Sequence, residues 1–192
     1  MHKFQPENAS RLENEERHAL LKPDTLLRQF GLEEGMDFLD IGSGTGFFSR
    51  AASRIIGENG KVYSADISEK MLDAFRSYGV PKNVHLILSN EYEIPLSSAL
   101  TDMALFAFVL HESKDIRRSV IEAARIIKPE GRIVIIEWKR QLEEHGPPID
   151  DRISLNDLLT EVHGFKIISS GDLNPSHYYC ILSANHETEE AN

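Results

Sequence analysis

Apolar residues along this chain follow two rhythms in turn. Short apolar runs at residues 38–41, 62–65, 84–88, 103–110 and 133–136 alternate with stretches in which apolar positions return every three or four residues. These are the periods of buried strands and of amphipathic helices. One helical stretch carries Phe47, Phe48, Ala51, Ala52, Ile55 and Ile56; a second carries Met71, Leu72 and Phe75; a third carries Ile116, Val120, Ala123, Ala124 and Ile127. Gly57 and Gly60, Gly79 and Pro81, and Pro129 and Gly131 end them in turn. Ser68 and Ser113 are the expected N-caps of the second and third. An earlier short helix opens at Pro23, buries Leu26, Leu27 and Phe30, and stops at Gly31. The runs at 103–110 and 133–136 lack alternation, as strands covered on both faces do.

Toward the C-terminus, Ser154 and Asp157 have capping-box spacing ahead of Leu155, Leu158, Leu159 and Val162, which predicts one more helix. Residues 165–169 and 178–183 then have strand character, and the Gly171 to Pro175 turn between them is too short for a parallel crossover. The expected fold is an α/β, mostly parallel, Rossmann-like sheet with helices on both faces and a C-terminal antiparallel hairpin, in a single domain spanning residues 1–192. Three segments fall outside it. Residues 1–22 are charged, with Phe4, Leu12, Leu20 and Leu21 as sparse anchors, and are read as a segment that does not fold alone and as a candidate lid. Residues 139–152 read as a long polar loop around Gly146-Pro147-Pro148, of a length common in functional loops, and residues 186–192 as a disordered acidic tail.

The formal net charge of −10 over 192 residues argues against a nucleic-acid partner, since such binding rests on clustered Lys and Arg. The single cysteine, Cys180, excludes an internal disulfide and a multi-cysteine zinc site, and the histidines show no metal-ligand spacing, so no metal is expected. With no signal-like apolar run before Leu21 and no membrane-length segment, the expectation is a soluble cytoplasmic protein without a membrane partner.

The chemistry gathers at Asp37-Phe-Leu-Asp-Ile-Gly-Ser-Gly-Thr-Gly46, where a strand ends on a glycine-rich turn that opens a helix. A dinucleotide turn spaces its glycines G-x-G-x-x-G, and here Gly42, Gly44 and Gly46 leave Phe47 at the position of the last. A P-loop is excluded, because no Gly-Lys-Ser or Gly-Lys-Thr follows. Asp66 ends the second strand twenty residues after Gly46, where a carboxylate can accept hydrogen bonds from ribose hydroxyls. Asp40, just before the glycines, disfavours an adjacent pyrophosphate and tolerates a cation. A ribosylated ligand with an ammonium and a sulfonium fits this pattern better than NAD does.

At these residues the sequence resembles the class I S-adenosylmethionine-dependent methyltransferases, over about residues 23–183. Leu39-Asp40-Ile41-Gly42-Ser43-Gly44-Thr45-Gly46 is similar to their first motif. Ser89-Asn90-Glu91-Tyr92-Glu93-Ile94-Pro95-Leu96 is similar to a segment of the quinone-biosynthesis-type (methyltransferase type 11) members. Phe108-Val109-Leu110-His111-Glu112 resembles the motif after the fourth strand, and Ile127-Lys128-Pro129-Glu130-Gly131-Arg132 the approach to the fifth. The resemblance implies S-adenosylmethionine as cofactor and a small-molecule methyl acceptor. It lays the backbone of Gly42, Ser43 and Gly44, followed by Gly46, along the methionine part, with Asp40 beside it. Asp66 would hold the ribose, Ile67 would pack beside the adenine, and Phe106 would lie near the methyl-bearing end. Asn90, followed by Glu91, stands where the family has an acid that accepts the adenine amino hydrogen; an amide oxygen can accept the same bond.

His111 follows a buried strand at its carboxyl end, the ligand-binding edge of open α/β sheets, and an imidazole suits a general base. It is the candidate catalytic residue, although methyl transfer is an in-line displacement that positioning alone can drive. Glu137 and Trp138 end a strand on the same edge. The competing readings are a noncatalytic S-adenosylmethionine-binding regulatory domain and a nucleotide-sugar or NAD enzyme on a related sheet. Arsenic methylation, which in related enzymes uses several thiols, and metal-dependent catechol methylation, which needs a carboxylate cluster, are both disfavoured.

Overall fold

The computed structural model describes residues 14–186, with side chains to Ser183; of the tail expected at 186–192, His186 instead ends a strand, and residues 187–192, like the first part of the candidate lid, lie outside the described residues. The described chain divides into two compact units, before and after the Pro95–Leu96 bond.

The first unit runs α1 (Glu15–Leu21), α2 (Pro23–Gln29), β1 (Phe38–Ile41), α3 (Phe47–Ile56), β2 (Val62–Asp66), α4 (Glu69–Tyr78) and β3 (Val84–Leu88). Its strands lie in the order β3-β2-β1, all parallel, with Asp40 opposite Ser64 and Asp66 opposite Leu88. The crossovers β1-α3-β2 and β2-α4-β3 step in the same direction, and two right-handed crossovers of that kind place their helices on one face. There Phe75 of α4 meets the first turn of α3 so closely that a Cβ on Gly46 would stand 2.2 Å from its ring. Ser68 caps α4 as expected, accepting from the Met71 N–H. Packed against α3, the segment read as not folding alone carries the helix α1. Asn14 caps it, Leu21 is buried, and the Arg17 guanidinium lies 4.5 Å over the Phe47 ring, so packing on α3 orders what local propensity does not.

The second unit runs β4 (Thr101–Ala107), a 3-10 turn (Leu110–Glu112), α5 (Ile116–Ile126), β5 (Ile127–Trp138), a second 3-10 turn (Ile149–Asp151), α6 (Leu155–Glu161), β6 (Phe165–Asp172) and β7 (His177–His186). The order is β4-β5-β7-β6, with β4 and β5 parallel and β7 antiparallel to both of its neighbours. Mostly parallel pairing with a C-terminal antiparallel hairpin agrees with the sequence. Ser154 caps α6, accepting from the Asp157 N–H and donating to its carboxylate.

Several boundaries differ, among them that of β6, which runs on through Gly171 to Asp172. Asp115, not Ser113, caps α5, accepting from the Arg118 N–H; the Ser113 hydroxyl instead accepts from the Asp115 N–H. Strand β5 begins at Ile127, straight after α5: Ile127 pairs with Thr101 and Arg132 with Met103, so residues 128–131 bulge out, and Pro129 and Gly131 sit in the bulge. Strand β4 ends at Ala107 because Phe108 takes a φ of +61°, which no strand residue holds. No helix among the described residues is long and apolar enough to cross a membrane.

Candidate cofactor and catalytic sites

In the first unit the turn after β1 is built from three glycines with φ of 70° at Gly42, 54° at Gly44 and 85° at Gly46, a conformation costly for any residue with a Cβ. The Gly42 and Ser43 N–H groups donate to the Ala65 carbonyl, at 2.8 and 3.0 Å. Asp66 then fastens the turn from the end of β2. One carboxylate oxygen accepts from the Gly44 N–H and the other from the Ser68 N–H, each at 2.8 Å. Burial raises the Asp66 pKa, while the N–H groups of Ser68, Gly44 and Ile67 oppose that rise. The Asp66 carbonyl accepts from the Ser89 N–H at 3.0 Å, which ties down the turn where the Asn90 N–H donates to the Glu93 carbonyl. Asn90 is exposed, the Glu91 carboxylate accepts from the Tyr92 hydroxyl, and Ile67 beside Asp66 is 48% exposed, unusual for isoleucine.

Asp40 is sealed below the turn. Its carboxylate accepts from the Ser49 hydroxyl of α3 at 2.5 Å, and Ser49 meets Ser64 of β2 at 2.6 Å. Burial, together with the Asp66 charge, pushes its pKa up to about 6, against the Ser49 hydrogen bond and a smaller pull from Arg17. The Ser43 hydroxyl oxygen is buried and has no hydrogen-bond partner among the described residues. An orphaned hydroxyl and two carboxylates beside a glycine turn fit a ligand carrying hydroxyls and a cation, as S-adenosylmethionine does.

In the second unit the chain leaves β4 through Phe108 and turns at Leu110–Glu112, so that His111 reaches Glu137 near the end of the adjacent strand β5. His111 Nδ1 lies 2.9 Å from Glu137 Oε2 and 3.1 Å from Oε1. Glu137 is 1% exposed and also accepts from the backbone N–H groups of His111 and Trp138, both at 3.2 Å. Burial alone would lower the His111 pKa, but Glu137, by charge and hydrogen bond, with Glu112 and Asp151, raises it. Phe106 is enclosed in β4 opposite Ile135.

The Glu137 pairing was not foreseen, although its signal matches that of Asp66: an acid closing an apolar strand. The same holds for Arg152. Its buried guanidinium donates to the carbonyls of Pro147, Lys139, Gln141 and His145 and to the Glu143 carboxylate, and it lies 5.0 Å over the Trp138 ring. The polar loop after β5 is therefore wrapped around one cation. No group of three or more potential metal ligands occurs among the described residues.

The family described as a methyltransferase domain matches residues 39–135, about half of the chain. A SAM-dependent methyltransferase from Aquifex aeolicus is 30% identical, with a TM-score of 0.87 over 95% of this chain and 100% of that one. A ubiquinone/menaquinone biosynthesis C-methyltransferase, UbiE, from Vibrio cholerae is 33% identical over 130 residues, 66% of this chain and 50% of that protein. The Haemophilus ducreyi protein of the same name is 34% identical over 128 residues, 65% of this chain and 47% of that protein. The chain thus spans about half the length of the curated relatives it matches. It belongs to the methyltransferase-domain family and shares the fold of the S-adenosylmethionine-dependent methyltransferase from Aquifex aeolicus.

Proposed function

We propose that this protein is a class I S-adenosylmethionine-dependent methyltransferase acting on a small-molecule acceptor, and that the turn at Gly42, Ser43, Gly44 and Gly46 with Asp40, Asp66, Ile67, Asn90 and Glu91 forms its cofactor site. The observation that carries the assignment is the Asp66 carboxylate bonded to the Gly44 N–H, which sets an acid against a glycine turn at one strand edge. Backbone N–H groups hold both of its oxygens, and its remaining acceptor capacity suits the hydroxyls of a ribose. The Ser43 hydroxyl and the ionised Asp40 then serve the methionyl end, Ile67 flanks the adenine and Asn90 accepts from its amino group.

S-adenosylmethionine supplies an electrophilic methyl on a positively charged sulfur. The chain's own residues orient it, exclude water from it and, through His111, take up a proton from the acceptor. Carbon is the favoured acceptor atom, since the UbiE relatives are named C-methyltransferases. The loop at 139–152 is proposed to cover the acceptor. The formal net charge of −10 supports a metabolite rather than a nucleic acid as substrate, and the proposal places the enzyme in the cytoplasm.

Calorimetric titration with S-adenosylmethionine, S-adenosylhomocysteine and NADH tests the cofactor site. The sulfur nucleosides are expected to bind and, at a hundredfold excess over Kd, to stabilise the fold by ~2.7 kcal/mol. A folded Asp66→Ala protein is expected to lose this binding. Retained affinity in that variant, or binding of NADH alone, overturns the site. Transfer of labelled methyl into a metabolite extract then identifies the acceptor.

A further inference from the structure

The His111 ring is held from one side only. Nδ1 faces both oxygens of Glu137, whereas Nε2 makes no hydrogen bond among the described residues and stands 3.9 Å from Glu112 Oε1, beyond hydrogen-bond distance. A carboxylate has no proton to give, so the neutral ring carries its hydrogen on Nδ1 and keeps a lone pair on Nε2. The carboxylate is itself fixed, buried and bonded by two backbone N–H groups, one of them that of His111. The strained φ of Phe108, three residues before His111, is the kind of distortion that collects at functional sites. The charges facing the ring are Glu137 from β5, Glu112 from its own turn and Asp151 from the turn after the loop; Tyr178 of β7 faces Glu137.

We infer that Glu137 is a positioning residue that holds His111 as the Nδ1–H tautomer, with Nε2 as the base for an acceptor that loses a proton on methylation: a phenol, an enol or an acidic C–H. This rests on the proposed catalytic role of His111. The acceptor's proton bonds to Nε2, and the electron pair it leaves on the acceptor forms the new bond to the methyl carbon. The electrons of the broken carbon–sulfur bond remain on sulfur as a neutral thioether, and Glu137 stays a carboxylate throughout. A thioether or tertiary amine acceptor has no such proton and would leave the pair without a task.

The test has a readout in the protein without substrate. In a protein labelled with 15N in its histidine rings, His111 is expected to show the Nδ1–H tautomer and to titrate above the ordinary 6.5. Glu137→Gln is expected to abolish the tautomer preference and lower the titration midpoint. It should also cut kcat roughly a hundredfold to ten-thousandfold, with the Kd for S-adenosylmethionine unchanged. Glu137→Asp, which keeps the charge, should restore part of the loss. The acid limb of the pH–rate profile should follow the midpoint in each variant. An Nε2–H tautomer in the wild type, or a Glu137→Gln protein with wild-type titration and turnover, overturns the inference. Failure of the wild type to bind S-adenosylmethionine instead overturns the cofactor site and leaves the ring measurement standing.

Discussion

Asp40 offers the sharpest test of how the site is built, because its burial opposes the charge that the proposed ligand requires. The side chain is 2% exposed, and its hydrogen-bond partner is the neutral hydroxyl of Ser49. Desolvation and the nearby Asp66 lift its pKa from 3.8 to about 6. A folded-state value above the unfolded one means that stability is fully present below pH 3.8 and falls as pH rises through about 6. A rise of about two units corresponds to ~3 kcal/mol. Asp40→Asn removes the ionisation while its amide oxygen can still accept from Ser49. The variant is therefore expected to match the wild type in acid and to exceed it by up to ~3 kcal/mol above pH 6, as read from urea unfolding at a series of pH values.

The same carboxylate should pay back that cost when the cofactor arrives. A cation beside Asp40 favours its ionised form, so wild-type affinity for S-adenosylmethionine is expected to rise with pH up to about 6, with proton release on binding. Calorimetry in two buffers of different ionisation enthalpy counts that proton. Asp40→Asn should bind more weakly, release none and lose the pH dependence: a more stable protein with a poorer site, as expected where function holds a strained group. An Asp40→Asn variant whose stability follows the wild-type pH curve between 3.8 and 6 would refute the reasoning.

The first unit was legible in detail because each of its signals is local. A strand, three glycines and an amphipathic helix are contiguous, and Asp66 is placed by the length of one crossover. The second unit was less so. Its strand period was clear, yet the end of β4 depends on the left-handed backbone of Phe108, and the start of β5 on a bulge that lets Pro129 and Gly131 ride outside the ladder. Breakers that end a helix in isolation are here absorbed by a strand. His111 and Glu137 lie 26 positions apart, and their meeting follows from the β4–β5 register, with Ala107 opposite Ile136, which hydrophobic patterning does not supply. Arg152 was hidden for the opposite reason: a basic residue in a polar loop looks solvated until its backbone acceptors are seen to converge on it.

Two further substitutions separate packing from ligand binding. Gly46→Ala sets a methyl 2.2 Å from the rigid Phe75 ring at a φ of +85°, and is expected to cost about 3 kcal/mol in urea unfolding. Gly35→Ala, at φ +80° with nothing within 4 Å, should cost only about 1 kcal/mol, and equal losses would show that backbone strain alone governs Gly46. Arg152→Ala strips four carbonyls and the Glu143 carboxylate of one shared donor. It should open residues 139–151 to limited proteolysis at least tenfold faster under native conditions, a loss of about 1.4 kcal/mol of local protection or more. Arg152→Lys should recover little, because an ammonium has three donors and cannot reproduce the planar five-donor fork or its stacking on Trp138. Wild-type resistance in both variants would mean that the loop is held by its own prolines and glycine, with the guanidinium a passenger.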